Sequence, residues 1–312
     1  MNIPKLFFCA LFLTGIMLGC KSDNQQQTTA RHAITDTLIV GIMPTLDCVP
    51  IYMARTYNIY DSLGLYVRLT CMNSQMDLEN LLANGKIDIA PSDMFRTIMW
   101  QNKRKNIRFL ASSCREWRLY ANKKRRISKV EHLGNRMIGM TRQSVLDYYC
   151  DTINSKLMRN SELLLKPQIN DVFIRLQMLN EAQLDAIFLP LPLDQLAEEK
   201  GHNKISDLKG CDGYAGLAVS CNRIKPNRKA VELFLRAYNM AVDSMKIYAE
   251  QPLPQYITTH FNIDSIPLKV IKSKSLSHLY HPETKKIASA LLWARKNNFA
   301  TKAYNTDTLT YK

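Results

Sequence analysis

The chain has no glycine-rich phosphate loop, no Gly-x-Ser-x-Gly nucleophile elbow and no Cys-x-x-Cys pair. The usual signatures of nucleotide cradling, hydrolase nucleophiles and dithiol redox chemistry are therefore missing. Only one stretch, at the very start, is apolar enough to enter a bilayer. Negative charge is also scarce, with 27 Asp plus Glu against 42 Lys plus Arg and a formal charge of +15. Such a balance suggests nucleic acid first. The export signal described next argues against that partner. The dense runs Lys103-Arg104-Lys105 and Lys123-Lys124-Arg125-Arg126 read as solvated faces. A basic surface would also suit a protein tethered beside anionic headgroups, and it would steer an anionic solute. His278 and His281 are three residues apart, but Pro282 disfavours a helix at His281 and no third ligand is near. No metal site and no cofactor are predicted.

What is present begins with Lys5 and the apolar run Leu6–Leu18, interrupted only by Thr14 and Gly15. At about 13 residues the run is short of the roughly 20 needed to span a bilayer, and it suits a signal peptide. It ends in Met17-Leu18-Gly19-Cys20, which resembles a lipobox, so residues 1–19 are expected to be removed and Cys20 lipidated. Residues 20–36, with Gln25-Gln26-Gln27, lack periodicity and read as a flexible tether. The product would be exported and lipid-anchored, facing the periplasm or the cell exterior. After Cys20 come Cys48, Cys71, Cys114, Cys150, Cys211 and Cys221. Export permits disulfides, and Cys211 with Cys221 could clip one loop, although free buried thiols are the competing reading.

The full chain is 46% apolar, enough for a core, and its 312 residues allow roughly two domains. Leu38–Ile42 reads as a buried strand, Pro50–Asn58 as a helix, and Leu65–Cys71 as an alternating strand. A helix over Met76–Asn84 stops at Gly85, and a strand at Ile87–Ala90 leads into a helix from Asp93. This alternation predicts an α/β fold with mainly parallel sheets covered by helices. The cadence then repeats. Ile138-Gly139-Met140 echoes Val40-Gly41-Ile42, and Leu179–Ile187 echoes Leu82–Ala90, at offsets of about 98 and about 97 residues. Two lobes of like construction follow. From Pro226 the pattern is helical, with Val231, Phe234, Leu235, Tyr238, Ala241, Val242 and Met245 on one face of a helix over Asn227–Glu250 and a last helix over Glu283–Asn297.

In open α/β sheets ligands sit beyond the carboxyl ends of strands. The turns there nominate Thr45 and Asp47, Asn73 and Ser74, Ser92 and Asp93, and Arg115 with Trp117. The second lobe adds Arg142, Ser144 and Pro190. Ser92 and Ser144 also suit helix N-caps, and Asp47 could cap the helix entered at Pro50. Asp88 and Asp185 read as strand-and-turn structure. Arg115 and Arg142 are the candidate partners of a charged solute.

Ile39–Thr45, Pro50–Ala54, Gly64–Val67, Leu82–Ala90, Arg136–Asp147, Leu179–Pro192 and Ala230–Val242 together resemble type II periplasmic solute-binding proteins of ABC importers. The nearest group is the one for sulfonates, taurine, nitrate and thiamine-pyrimidine precursors, the NMT1/THI5-like proteins. That family often carries glycine where this chain has Asn58. The resemblance implies a two-lobed type II periplasmic-binding-protein fold with its cleft at the hinge. Lobe 1 would take 37–118, lobe 2 119–220, and 221–312 would return to lobe 1, with crossings near Trp117–Ala121 and Leu217–Asn222. It also implies a non-enzymatic monomer that captures a small anionic or heterocyclic solute and docks on a membrane permease. The alternatives are an enzyme resembling chorismate dehydratases and a sensory or surface lipoprotein.

Overall fold

The computed structural model describes residues 37–157, 163–208, 212–248, 251–263, 276–301 and 306–311. The signal segment, the tether, Cys20 and Cys211 lie outside the described residues.

The first sheet grows from β1 (Leu38–Ile42), whose side chains are almost all buried. After it come α1 (Val49–Thr56) and a short α2 (Ile59–Ser62), then β2 (Val67–Cys71), α3 (Gln75–Ala83), β3 (Ile89–Asp93), α4 (Met94–Asn102) and β4 (Ile107–Ser112). Asn58, between α1 and α2, has φ 54°, a left-handed conformation in which glycine is cheapest. Gly85 ends α3 at φ +65° in the same way.

The chain then crosses through residues 113–116 into a second sheet. It consists of β5 (Trp117–Ala121), β6 (Ile138–Gly139), β7 (Ala186–Pro190) and β8 (Asn203–Leu208). The helices α5 (Val145–Leu157), α6 (Val172–Asn180) and α7 (Asp194–Glu199) accompany it. Between Leu208 and Ala215 the chain crosses back, and β9 (Ala215–Ser220) re-enters the first sheet. Both crossings thus differ from the expected Trp117–Ala121 and Leu217–Asn222. Those apolar segments are strands, fully engaged in the second and first sheets respectively.

The strand orders are β2-β1-β3-β9-β4 and β6-β7-β5-β8. Both sheets are mixed, with all strands but one running the same way. β1 pairs parallel with β2 and β3, but β9 runs antiparallel to β3 and β4. In the second sheet β6 and β7 are parallel, whereas β5 is antiparallel to β7 and β8. The reason is the double crossing. β5 and β9 each reach their sheet from the opposite lobe and enter it against the local strand direction.

The two sequence echoes have a common physical basis. A Cβ on Gly41 would lie 2.7 Å from Leu78 Cδ2, and one on Gly139 would lie 2.6 Å from Leu184 Cδ1. Each glycine therefore lets a neighbouring leucine pack directly on its strand, β1 in the first lobe and β6 in the second. Asp88 Oδ2 accepts the Ile39 amide at 2.7 Å, and Asp185 Oδ2 accepts the Met137 amide at 2.9 Å. Each carboxylate also faces an arginine at 2.9 Å, Arg223 for Asp88 and Arg125 for Asp185. The repeated aspartates are start clamps for the repeated strands.

After β9 come α8 (Cys221–Ile224), α9 (Arg228–Ile247), α10 (Gln255–Phe261), α11 (Thr284–Lys296) and α12 (Thr306–Leu309). The apolar stripe of α9 packs on α1 and α2, with Ala237 buried and Leu235 only half-buried. α11 packs against α4 of the first lobe, and its Trp293 also donates to Asp151 of α5 at 2.9 Å. Cys114 is disulfide-bonded, whereas Cys48, Cys71, Cys150 and Cys221 are free, which excludes the Cys211–Cys221 clip.

Candidate functional site

The carboxyl ends of β1, β3 and β4 point toward the second sheet, and their turns carry a chain of buried polar groups. Asp47, in the turn after β1, accepts the Ser113 hydroxyl at 2.6 Å and pairs with Arg115 at 3.0 Å. Arg115 also donates to Gln75 Oε1 at 3.0 Å. Gln75 in turn donates to Glu79 at 2.9 Å and to Asp93 at 2.8 Å. Ser92 donates to Glu79 at 2.7 Å, and Arg96 Nε meets Glu79 Oε2 at 2.6 Å. The network holds two guanidiniums and three carboxylates.

Burial sets the electrostatics. Burial pushes the Asp47 carboxyl up, but the charge and hydrogen bonds of Arg115 overcome it and hold the group below its ordinary range. Burial works against the Arg115 charge as well, and Asp47 more than restores it. For Asp93, burial, then the neighbouring Glu79, outweigh the hydrogen bonds from Arg96 and Gln75 and the Arg96 charge, raising it to about 6.

The second lobe closes over this floor. The Leu46 amide donates to the Leu191 carbonyl at 2.8 Å, and Val172 donates to the Asn73 carbonyl at 3.3 Å. Arg96 Nη1 reaches the Arg142 carbonyl at 3.3 Å. Between the walls remains a central cavity of only about 10 Å³, bordered by Met43, Gln75, Trp117, Thr141, Ser144 and Arg175. Arg175 is 1% exposed and donates to the Phe188 carbonyl at 2.9 Å; burial lowers it to about 10. Further out, between α3, α4 and the turn before α5, lies a larger groove of about 520 Å³.

The expected residues divide accordingly. Asp47, Ser92, Asp93 and Arg115 come together in the buried network. Trp117 and Ser144 border the central cavity, and Arg142 borders the outer groove. Thr45 donates to Cys48 Sγ at 3.3 Å, and Ser74 caps α3 by accepting the Asp77 amide. Asn73 joins the lobes through its backbone. Pro190 is paired with Trp117 in the β5–β7 ladder and borders neither space. Two capping expectations are corrected. Asp93, not Ser92, caps α4, because β3 runs on through Ser92, and Asp47 is held by Arg115 instead of capping α1. Ser144 does accept the Leu146 amide at 3.1 Å.

Sequence reasoning missed Glu79, Arg96 and Arg175. Each is a single polar residue on a helix, which in sequence reads as part of a solvated face. Only the facing lobe and strand ends bury it.

This arrangement, two mixed α/β sheets joined by two crossings with strand ends facing each other, is the type II periplasmic-binding-protein fold. The family model described as NMT1/THI5 like matches residues 45–251, and the chain belongs to that family. No sequence among curated proteins matches it. Among solved structures, the alkanesulfonate-binding protein SsuA from Xanthomonas axonopodis pv. citri, bound to MOPS, superposes with a TM-score of 0.69. It is 10% identical, over 88% of this chain and 98% of that one. The zinc-bound ligand-binding component of an ABC-type import system from Staphylococcus aureus gives 0.68 at 12% identity, over 88% and 96%. The desulfurization enzyme DSZB gives 0.61 at 11% identity, over 88% and 96%. At these identities the likeness establishes the fold alone.

Proposed function

We propose that the protein is the solute-binding component of an ABC import system, closing its two lobes on a small molecule and delivering it to a membrane permease. The observation that carries this reading is the enclosure of polar strand-end turns between lobes linked by two crossings among the described residues, within an NMT1/THI5-like chain. Hinging at residues 113–116 and 212–214 would break bonds across the interface and enlarge the central cavity. The solute is an anion or a polar heterocycle, and the functional unit is a monomer. Its N-terminus is exported and held to the membrane by lipid on Cys20, which suits a binder that must stay near its permease.

The test is a thermal-shift screen of the purified chain against sulfonates, taurine, nitrate, phosphonates, pyrimidines and chorismate, with small-angle scattering on any hit. A ligand at a hundred times its Kd stabilises a native state by about 2.7 kcal/mol, so a true solute raises Tm and compacts the molecule. Because DSZB is an enzyme on this fold, the chorismate arm also assays product. Turnover there would replace the transport reading, and no hit anywhere would reject solute capture from this panel. Metabolic labelling with fatty acid, lost in Cys20→Ser, tests the anchor.

A further inference from the structure

We propose that the outer groove is an anion site separate from the central cavity, and that it takes an organic anion with an apolar body. Its volume of about 520 Å³ falls in the usual range for small-molecule sites, roughly 300–1,000 Å³, and exceeds the needs of an inorganic oxyanion. The central cavity, at about 10 Å³ in the same closed state, admits no such molecule.

The groove is cationic in a specific way. Arg96 is 3% exposed and borders it. Its Nε is held by Glu79 and its Nη1 by the Arg142 carbonyl, whereas Nη2 has no hydrogen-bond partner among the described residues. A buried N–H without an acceptor costs free energy, and an oxyanion would supply the missing partner. Arg142, from the opposite lobe, is exposed and makes no side-chain ion pair among the described residues. Lys103 is likewise without a carboxylate partner among them, its Nζ lying 5.3 Å from the centre of the Trp100 ring. The carboxylate on this surface, Asp147, is already taken by Lys166 at 2.6 Å and by the Gln143 amide at 2.8 Å. Met76, Trp100 and Phe299 give the groove its apolar wall.

An anion between Arg96 and Arg142 would touch both lobes and favour their closure. The inference rests on the hinge reading for this consequence and for access to the enclosed Nη2.

The experiment is calorimetric titration of the full chain with benzenesulfonate, phenylphosphonate and benzoate, with benzamide as the neutral match. The anions should bind and benzamide should not. Arg142→Ala and Lys103→Ala should each weaken binding about tenfold, the scale of one lost charge-assisted hydrogen bond. Arg96→Lys, which keeps a cation beside Glu79 but removes Nη2, should weaken it as well. Lys124→Ala, on the basic run outside the groove, should leave affinity unchanged. Equal affinity in wild type, Arg142→Ala and Lys103→Ala overturns the proposal. So does loss on Trp117→Phe without loss on Arg142→Ala, which would assign the anion to the central cavity, and so does no binding of any of the three anions. In those cases a solute that still raises Tm and compacts the chain leaves the transport reading standing.

Discussion

The Arg115 guanidinium and the Asp47 carboxylate meet at 3.0 Å with both side chains only 1% exposed. Arg115 lies on the first crossing between the lobes and Asp47 on the turn after β1, so this pair ties the hinge to the first sheet. The Tyr238 hydroxyl, from α9, donates to the Asp47 carbonyl at 2.9 Å and fixes the same turn from behind.

Removing one partner leaves a buried charge uncompensated. Asp47→Asn or Arg115→Met should each cost about 3–5 kcal/mol in denaturant unfolding. The double substitution should recover much of that loss, because no lone charge remains. A double mutant as unstable as the sum of the singles would show that the two groups do not act as a pair.

Asp47 and Asp93 should respond to pH in opposite senses. Asp47 is held below its ordinary value, so its stabilisation is present above pH about 4 and is lost as pH falls through its folded value. Burial and the neighbouring Glu79 raise Asp93 to about 6 when folded, above the ordinary aspartate value of 3.8. Between those values the native state holds a proton that the unfolded chain has released, so the contribution of Asp93 to stability falls as pH rises through this window. Carbon-13 titration of the side-chain carboxyls should find Asp93 near 6, and Glu79→Gln should move it down by removing the neighbouring charge. An Asp93 midpoint near 4 in the wild type would contradict this account.

Gly216 should tolerate no side chain. Its Cβ would stand 2.0 Å from the Ala111 carbonyl oxygen, next to the irregularity in the β4–β9 ladder between Phe109 and Ala111. Overpacking usually costs about 1–3 kcal/mol, and here the obstacle is backbone, so Gly216→Ala should lie at or above the top of that range. A melting temperature within a degree or so of wild type would refute the close approach.

The thiols should react in a fixed order. Cys71 is exposed, whereas Cys48 and Cys150 are fully buried. Burial, then the nearby Asp47, pushes the Cys48 thiol up to about 12, away from the reactive thiolate. Mass spectrometry after brief maleimide treatment should find Cys71 modified first, with Cys48 and Cys150 labelled only on unfolding. Early modification of Cys48 would mean that the turn after β1 opens in solution.

Much of the architecture was legible because it is local. β1 falls on Leu38–Ile42 as its unbroken apolar run predicts, and the stripe of α9 and the left-handed stop at Gly85 follow from side-chain period and backbone freedom. The internal repeat was legible too, since Gly41 with Gly139 and Asp88 with Asp185 do the same job twice at nearly the same spacing. Strand direction was not, because β5 and β9 read like any buried strand and only the double crossing makes them antiparallel. The site was half legible: turns after strands nominated Asp47, Asp93, Arg115 and Arg142 without saying which would pair. Glu79 and Arg96 stayed hidden, since a polar residue on a helix has the same sequence pattern whether it faces water or another lobe. Local periodicity determined the elements, and the motifs along the chain carried the family resemblance; tertiary structure decided charge pairing, because pairing depends on which distant turns the two crossings bring within a few ångströms.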